Sequence, residues 1–108
     1  MTEKTATFAA KTRLNGTTSY IDMVGEINGL ADGALSAAYE QAEQNNPANI
    51  ILNFAEVNYI NSTGIALIVG VLARARAAHI ALTASGLSEH YREIFTITRL
   101  SDFMEIQP

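Results

Sequence analysis

The sequence predicts an α/β domain: a mixed sheet of four to five strands with about three to four helices. Three observations carry that prediction. Stretches with two-residue alternation take turns with stretches of helical spacing along the chain. Its 108 residues suit one domain. With 48 % hydrophobic residues there is enough apolar surface for a core, which argues against disorder. The expected order is strand, strand, helix, strand, helix, strand, helix. Strands separated by helices pair in parallel through right-handed crossovers. No repeat, linker or low-complexity stretch interrupts the pattern, so residues 1–108 read as one domain.

Thr5 to Leu14 alternates, with Ala6, Phe8, Ala10, Thr12 and Leu14 on one side, which is strand periodicity. Asn15-Gly16 predicts a tight hairpin with positive φ at both residues. Thr17 to Ile27 is then the partner strand, carrying Tyr20, Ile21, Met23 and Val24. Gly25 to Gly29 leaves it. Ala31 to Asn45 is rich in Ala, Leu, Glu and Gln, good helix formers, and Asn45-Asn46-Pro47 ends the helix. Ile50 to Phe54 is a short buried strand. A second helix starts near Asn61 and runs to about Ala78. Ile80 to Ala84 reads as another strand. Leu87, Tyr91, Ile94, Phe95 and Thr98 mark one face of a last helix. Phe103 to Ile106 adds a short edge strand.

Composition removes several classes of function. Without cysteine there is no disulfide, thiolate metal site or thiol nucleophile. His79 and His90 are too few for most imidazole metal sites. A net charge of -4, with no run of Lys or Arg, gives no electrostatic footprint for direct contact with nucleic acid. The N-terminal MTEKTATFAA lacks a signal-peptide pattern. The apolar run Gly64 to Ala73 is about half the ~20 residues a membrane helix needs. The expectation is a cytoplasmic protein without membrane insertion. Neither Gly-x-Ser-x-Gly nor a phosphate loop ending in Gly-Lys-Ser or Gly-Lys-Thr is present. Glu40 and Glu43 share a helical face but read as a solvated surface. His79 has no nucleophile or carboxylate beside it in sequence. A binding or switching module is expected rather than an enzyme.

The stretch YINSTGIALIVG, Tyr59 to Gly70, is the most informative. Asn61, Ser62 and Thr63 are all favoured N-cap residues, and Gly64 allows a tight turn. The plain reading is that one of the three starts the helix. The run Ile65 to Ala73 has no polar face, unlike an ordinary surface helix. Ile65, Ile68, Val69 and Leu72 are assigned to the sheet side. Leu67 and Val71, with Ala66 and Gly70, then point elsewhere, into a neighbouring helix or a small exposed apolar patch of the kind that marks partner sites.

In these residues the chain resembles a known family. Gly25-Glu26-Ile27-Asn28, Ile50-Ile51-Leu52-Asn53-Phe54, Asn61-Ser62-Thr63-Gly64-Ile65 and Gly86-Leu87 with Phe95 and Leu100 look like a STAS domain. They are most similar to the bacterial anti-sigma-factor antagonists. The resemblance implies a partner switch. Such a protein binds an anti-sigma factor that is also a serine kinase, and so releases a sigma factor. Phosphorylation of a serine at the start of the second helix breaks the complex, and a PP2C-type phosphatase restores it. Ser62 matches that serine, and Thr63 is the second choice. The implied partner surface comprises Glu26, Asn28, Asn61, Ser62, Thr63, Gly64, Leu67 and Val71. No cofactor is implied, and the chain is expected as a monomer or weak homodimer. At Asn61 and Asn28 the family usually has aspartate, and at Ala66 frequently glycine. The alternative within the family is a scaffold or accessory subunit of a signalling or transport complex, not regulated by phosphorylation.

Overall fold

In a computed structural model, which describes residues 8–107, five strands form one sheet in the order β1-β2-β3-β4-β5. The hairpin strands β1 (Ala9–Asn15) and β2 (Thr18–Ile27) are antiparallel. The remaining pairs, β2 with β3 (Asn49–Ile60), β3 with β4 (Ala81–Ser85) and β4 with β5 (Glu105–Ile106), are parallel. Three α-helices complete the described domain: α1 (Asp32–Gln44), α2 (Ser62–Ala77) and α3 (Glu89–Ile97). The mixed α/β architecture matches the expectation, and the expected edge strand is present as β5. Expected strand residues 5–7 lie outside the described residues.

The alternation of β2 explains the core. Ser19, Ile21, Met23 and Ile27 are buried on one face, while Tyr20, Asp22 and Glu26 are half-buried on the other. Register places Ile21 beside Leu52 and Leu52 beside Ala84, so the apolar rows of three strands are continuous. Leu35, Tyr39 and Ala42 of α1, Ile68, Leu72 and Ala75 of α2, and Phe95 of α3 bury against the same cluster. Phe95 meets Phe54 edge-on, with ring centroids 5.7 Å apart, a favoured aromatic geometry. Ser19 pays for its burial by donating its hydroxyl to the Ala42 carbonyl at 3.1 Å.

Three details differ from the sequence expectation. Asn15 pairs with Thr18, so the hairpin loop is Gly16-Thr17, and only Gly16 takes positive φ (+65°). The strand twist needs one left-handed residue at the first loop position here, and glycine supplies it. β3 is more than twice the expected length, because the alternating stretch Ala55 to Tyr59 continues the ladder with β2 through two register irregularities. A single 3₁₀ turn, Gly29–Ala31, precedes α1, which therefore begins at Asp32.

Candidate functional site

The parallel strands β2 and β3 end together, at Ile27 and Ile60, and the loops that follow them meet at one end of the sheet, while β4 ends at Ser85, level with Asn53 of β3. Asn61 starts α2. Its backbone is extended (φ -92°, ψ -177°), and its side-chain Oδ1 accepts the Gly64 N–H at 2.8 Å. Its own N–H donates to the Ile27 carbonyl at 3.2 Å, and its carbonyl accepts the Ile65 N–H at 2.9 Å. Of the three cap-type residues in a row, Asn61 is the cap.

That assignment frees the next two. Ser62 and Thr63 are exposed in the first turn of α2, and their hydroxyls and N–H groups find no hydrogen-bond partner among the described residues. No acidic residue occupies that turn, while Arg74 and Arg76 sit in the last one. No carboxylate of α2 itself thus complements the positive end of the helix dipole at Ser62 and Thr63.

Gly64 explains why the turn lies where it does. A Cβ there would stand 2.0 Å from the Ile27 carbonyl oxygen and 2.9 Å from Ile60 Cγ2. Only a residue without a side chain lets α2 sit on the end of β2. Gly64 is consequently buried, so its expected place on the partner surface is corrected: it positions the turn and presents no side chain. Thr63 Cγ2 lies 3.5 Å from where a Gly29 Cβ would be, which brings the loop after β2 against the start of α2. In that loop Asn28 Oδ1 accepts the Leu30 N–H at 2.9 Å, and Asn28 Nδ2 reaches Glu26 Oε1 at 3.5 Å. Glu26, Asn28, Asn61, Ser62, Thr63 and Gly64 thus share one end of the sheet.

The apolar residues of α2 are phased differently from the sequence assignment. The buried face is Gly64, Ile68, Val71, Leu72 and Ala75. Val71 is 5 % exposed and Val69 is 45 % exposed, so their expected roles are exchanged. Val71 is corrected from a partner-facing residue to a core residue. Leu67 is half-buried and lines a shallow groove of about 160 Å³ between α1 and α2, with Leu35, Ala66, Gly70 and Arg74.

Two residues at this end were not anticipated. Leu30, at the centre of the 3₁₀ turn, is 93 % exposed. Tyr91, from the first turn of α3, accepts the Ile60 N–H on its hydroxyl at 2.9 Å. β4 pairs with β3 only as far as Asn53, so Tyr91 serves an edge that β4 leaves open. The Asn-Gly pair at Asn28 was a legible turn signal for the first. Nothing in sequence marks the hydroxyl of Tyr91, whose partner is distant in the chain.

Among the described residues no group of three or more His, Cys, Asp or Glu side chains is placed to hold a metal ion, and no helix is long and apolar enough to cross a membrane.

Comparison with known proteins agrees with this architecture. The family model of the STAS domain matches residues 9–108. The anti-sigma-B factor antagonist of Listeria monocytogenes is 32 % identical over 92 residues, covering 83 % of this chain and 81 % of that protein. The fold is shared with the anti-sigma factor antagonist SpoIIAA in its unphosphorylated form, with a TM-score of 0.71 at 20 % identity over 93 % of this chain and 88 % of that one. It is shared likewise with Bacillus SpoIIAA in the phosphorylated form, with a TM-score of 0.69 at 22 % identity over 93 % and 92 % of the two chains.

Proposed function

The chain belongs to the STAS domain family, with an anti-sigma-factor antagonist among its relatives, and from that premise we propose that it is an antagonist of this kind, switched by phosphorylation of Ser62. It binds an anti-sigma factor that is also a serine kinase, and the bound kinase can no longer hold its sigma factor. The observation that carries the reading is the free, exposed Ser62 hydroxyl at the start of α2, released from capping by Asn61.

The chemistry is phosphoryl transfer. Ser62 Oγ attacks the γ-phosphorus of ATP held by the kinase, the hydroxyl proton passes to a base on the kinase, and ADP leaves. This chain supplies the acceptor and its position, so it is substrate rather than catalyst. The product phosphate stands at a helix N-terminus, where the dipole and the free N–H groups of Ser62 and Thr63 favour an anion. The fold therefore tolerates it. The added charge of roughly -1.5 to -2 burdens a closely packed interface unless cations meet it. Phosphorylation thus releases the partner without unfolding the chain, and a PP2C-type phosphatase reverses it. Thr63, the adjacent exposed hydroxyl, is the second choice of acceptor. The partner surface in this reading comprises Glu26, Asn28, Asn61, Ser62, Thr63 and Leu67. The protein works in the cytoplasm as a monomer or weak homodimer.

The test is to incubate the chain with its cognate anti-sigma-factor kinase and ATP, then map the phosphate by mass spectrometry. Modification at Ser62 is expected. Phosphate found only elsewhere, or a stable complex in which Ser62 stays unmodified, overturns the switch; the latter favours a scaffold role.

A further inference from the structure

Leu30 is the most exposed large hydrophobic side chain among the described residues, at 93 %. Isolated exposed hydrophobic residues are ordinary on protein surfaces. What distinguishes this one is its mounting and its place. Asn28 Oδ1 accepts its N–H at 2.9 Å, and the Ala31 N–H donates to the Asn28 carbonyl at 3.0 Å. Ala31, the next residue, is fully buried. The backbone is pinned on both sides while the side chain stands in solvent. A Cβ on the preceding residue, Gly29, would stand 3.5 Å from Thr63 Cγ2, and the 3₁₀ turn that carries Leu30 packs on α2, the helix that Ser62 begins. Tyr59, opposite Glu26 on β3, is also exposed at this end, but at 50 % it is far less so than Leu30.

A kinase that phosphorylates Ser62 must close its cleft around that hydroxyl. A standard interface covers roughly 800 Å² on each partner, so its footprint takes in the adjoining 3₁₀ turn. We propose that Leu30 is the docking anchor of the anti-sigma-factor kinase, its side chain filling an apolar pocket beside the kinase's ATP cleft. The proposal rests on the reading of Ser62 as the phosphoacceptor. Anchors of this type sit centrally, lose all their water on binding and dominate affinity. A pre-fixed backbone lowers the ordering cost of docking. Leu30 then sets partner choice while Ser62 sets the state of the switch.

The test uses the full chain, the purified cognate kinase and two variants. Leu30→Ser removes the anchor. Ile97→Ser, at the far end of α3 and 71 % exposed, removes a comparable apolar side chain elsewhere. Calorimetry with the ADP-bound kinase gives Kd, and Ser62 phosphorylation kinetics give kcat and KM. Leu30→Ser is expected to raise Kd and KM roughly ten- to a hundredfold, the effect of losing a buried leucine, with kcat nearly unchanged. Its melting temperature should stay at the wild-type value, since so exposed a side chain has little contact to lose. Ile97→Ser should behave as wild type throughout. Wild-type affinity in Leu30→Ser, or an equal loss in Ile97→Ser, overturns the anchor even if Ser62 is phosphorylated. Selective loss of affinity in Leu30→Ser with no phosphate on Ser62 upholds the anchor and overturns the acceptor. A kinase that does not bind the wild-type chain overturns both.

Discussion

Replacing Asn61 with alanine removes the side-chain acceptor that holds the Gly64 N–H at 2.8 Å. The backbone bond from Asn61 N–H to the Ile27 carbonyl remains, and Ile68, Leu72 and Ala75 still anchor α2 in the core. The helix should therefore persist with one donor unpaired in its first turn. Loss of an N-cap of this kind costs about 1 kcal/mol, within a range of about 0.5 to 2. For a domain of this size that lowers the melting temperature by about 4–8 °C. Ser62→Ala should differ sharply. The Ser62 hydroxyl makes no hydrogen bond among the described residues, and alanine is the better helix former. Its effect on stability should stay within about 0.5 kcal/mol of zero. Thermal melts followed by circular dichroism, with urea denaturation as a second measure, compare wild type, Asn61→Ala and Ser62→Ala. The reasoning predicts a clear drop for the first variant and none for the second. Equal drops would refute it, because Ser62 would then be a capping residue with no free hydroxyl to modify.

Gly64→Ala places a methyl group 2.0 Å from the Ile27 carbonyl oxygen, so α2 must shift off β2; a loss of about 3 kcal/mol is expected in urea denaturation, and unchanged stability would contradict the packing described. Tyr91→Phe keeps the ring but leaves the buried Ile60 N–H without its acceptor, which should cost about 1 kcal/mol and speed amide hydrogen exchange at Ile60 while the centre of β3 stays protected. Asn61→Asp keeps the cap and adds a charge beside Ser62. If that carboxylate orients or deprotonates the serine, single-turnover phosphorylation should speed up, by as much as roughly 10²-fold. The phosphorylated form should then melt lower relative to its unmodified form, from like-charge contact. Equal or slower phosphorylation would count against that role for an acidic residue at position 61.

Much of the fold was legible because strand alternation and helix composition are local signals. Ile21, Met23 and Ile27 announce the buried face of β2 by their spacing, and Ala31 to Asn45 announces α1 by its composition. The far half of β3 was not legible. Ala55 to Tyr59 is mostly exposed, so its alternation of Ala55, Val57 and Tyr59 with Glu56 and Asn58 marks no buried face, and it extends the strand by continuing the ladder beside Val24 to Ile27 of β2. The phase of α2 was misread for a related reason. Ile65 to Ala73 has no polar residue to mark the outside, so apolar spacing fits more than one orientation. Arg74 and Arg76 resolve it: with both outward, Ala75 points inward, and stepping back along the helix gives Val71, Ile68 and Gly64. At the candidate site, the cap-rich sequence Asn61-Ser62-Thr63 identified the turn but not which residue caps it. The answer depends on the Ile27 carbonyl, 34 positions before Asn61, which fixes the backbone at Asn61 and requires glycine at Gly64.

The central claim is that phosphate on Ser62 changes binding and leaves folding alone. It is tested most directly by preparing the chain with and without phosphate on Ser62, and measuring kinase affinity and melting temperature on the same samples. The account predicts that phosphorylation weakens binding at least roughly a hundredfold, as expected when a buried interface acquires an unpaired charge. The melting temperature should hold or rise slightly, because the helix N-terminus favours the anion. Unchanged affinity, or weaker binding accompanied by a large fall in melting temperature, would contradict it.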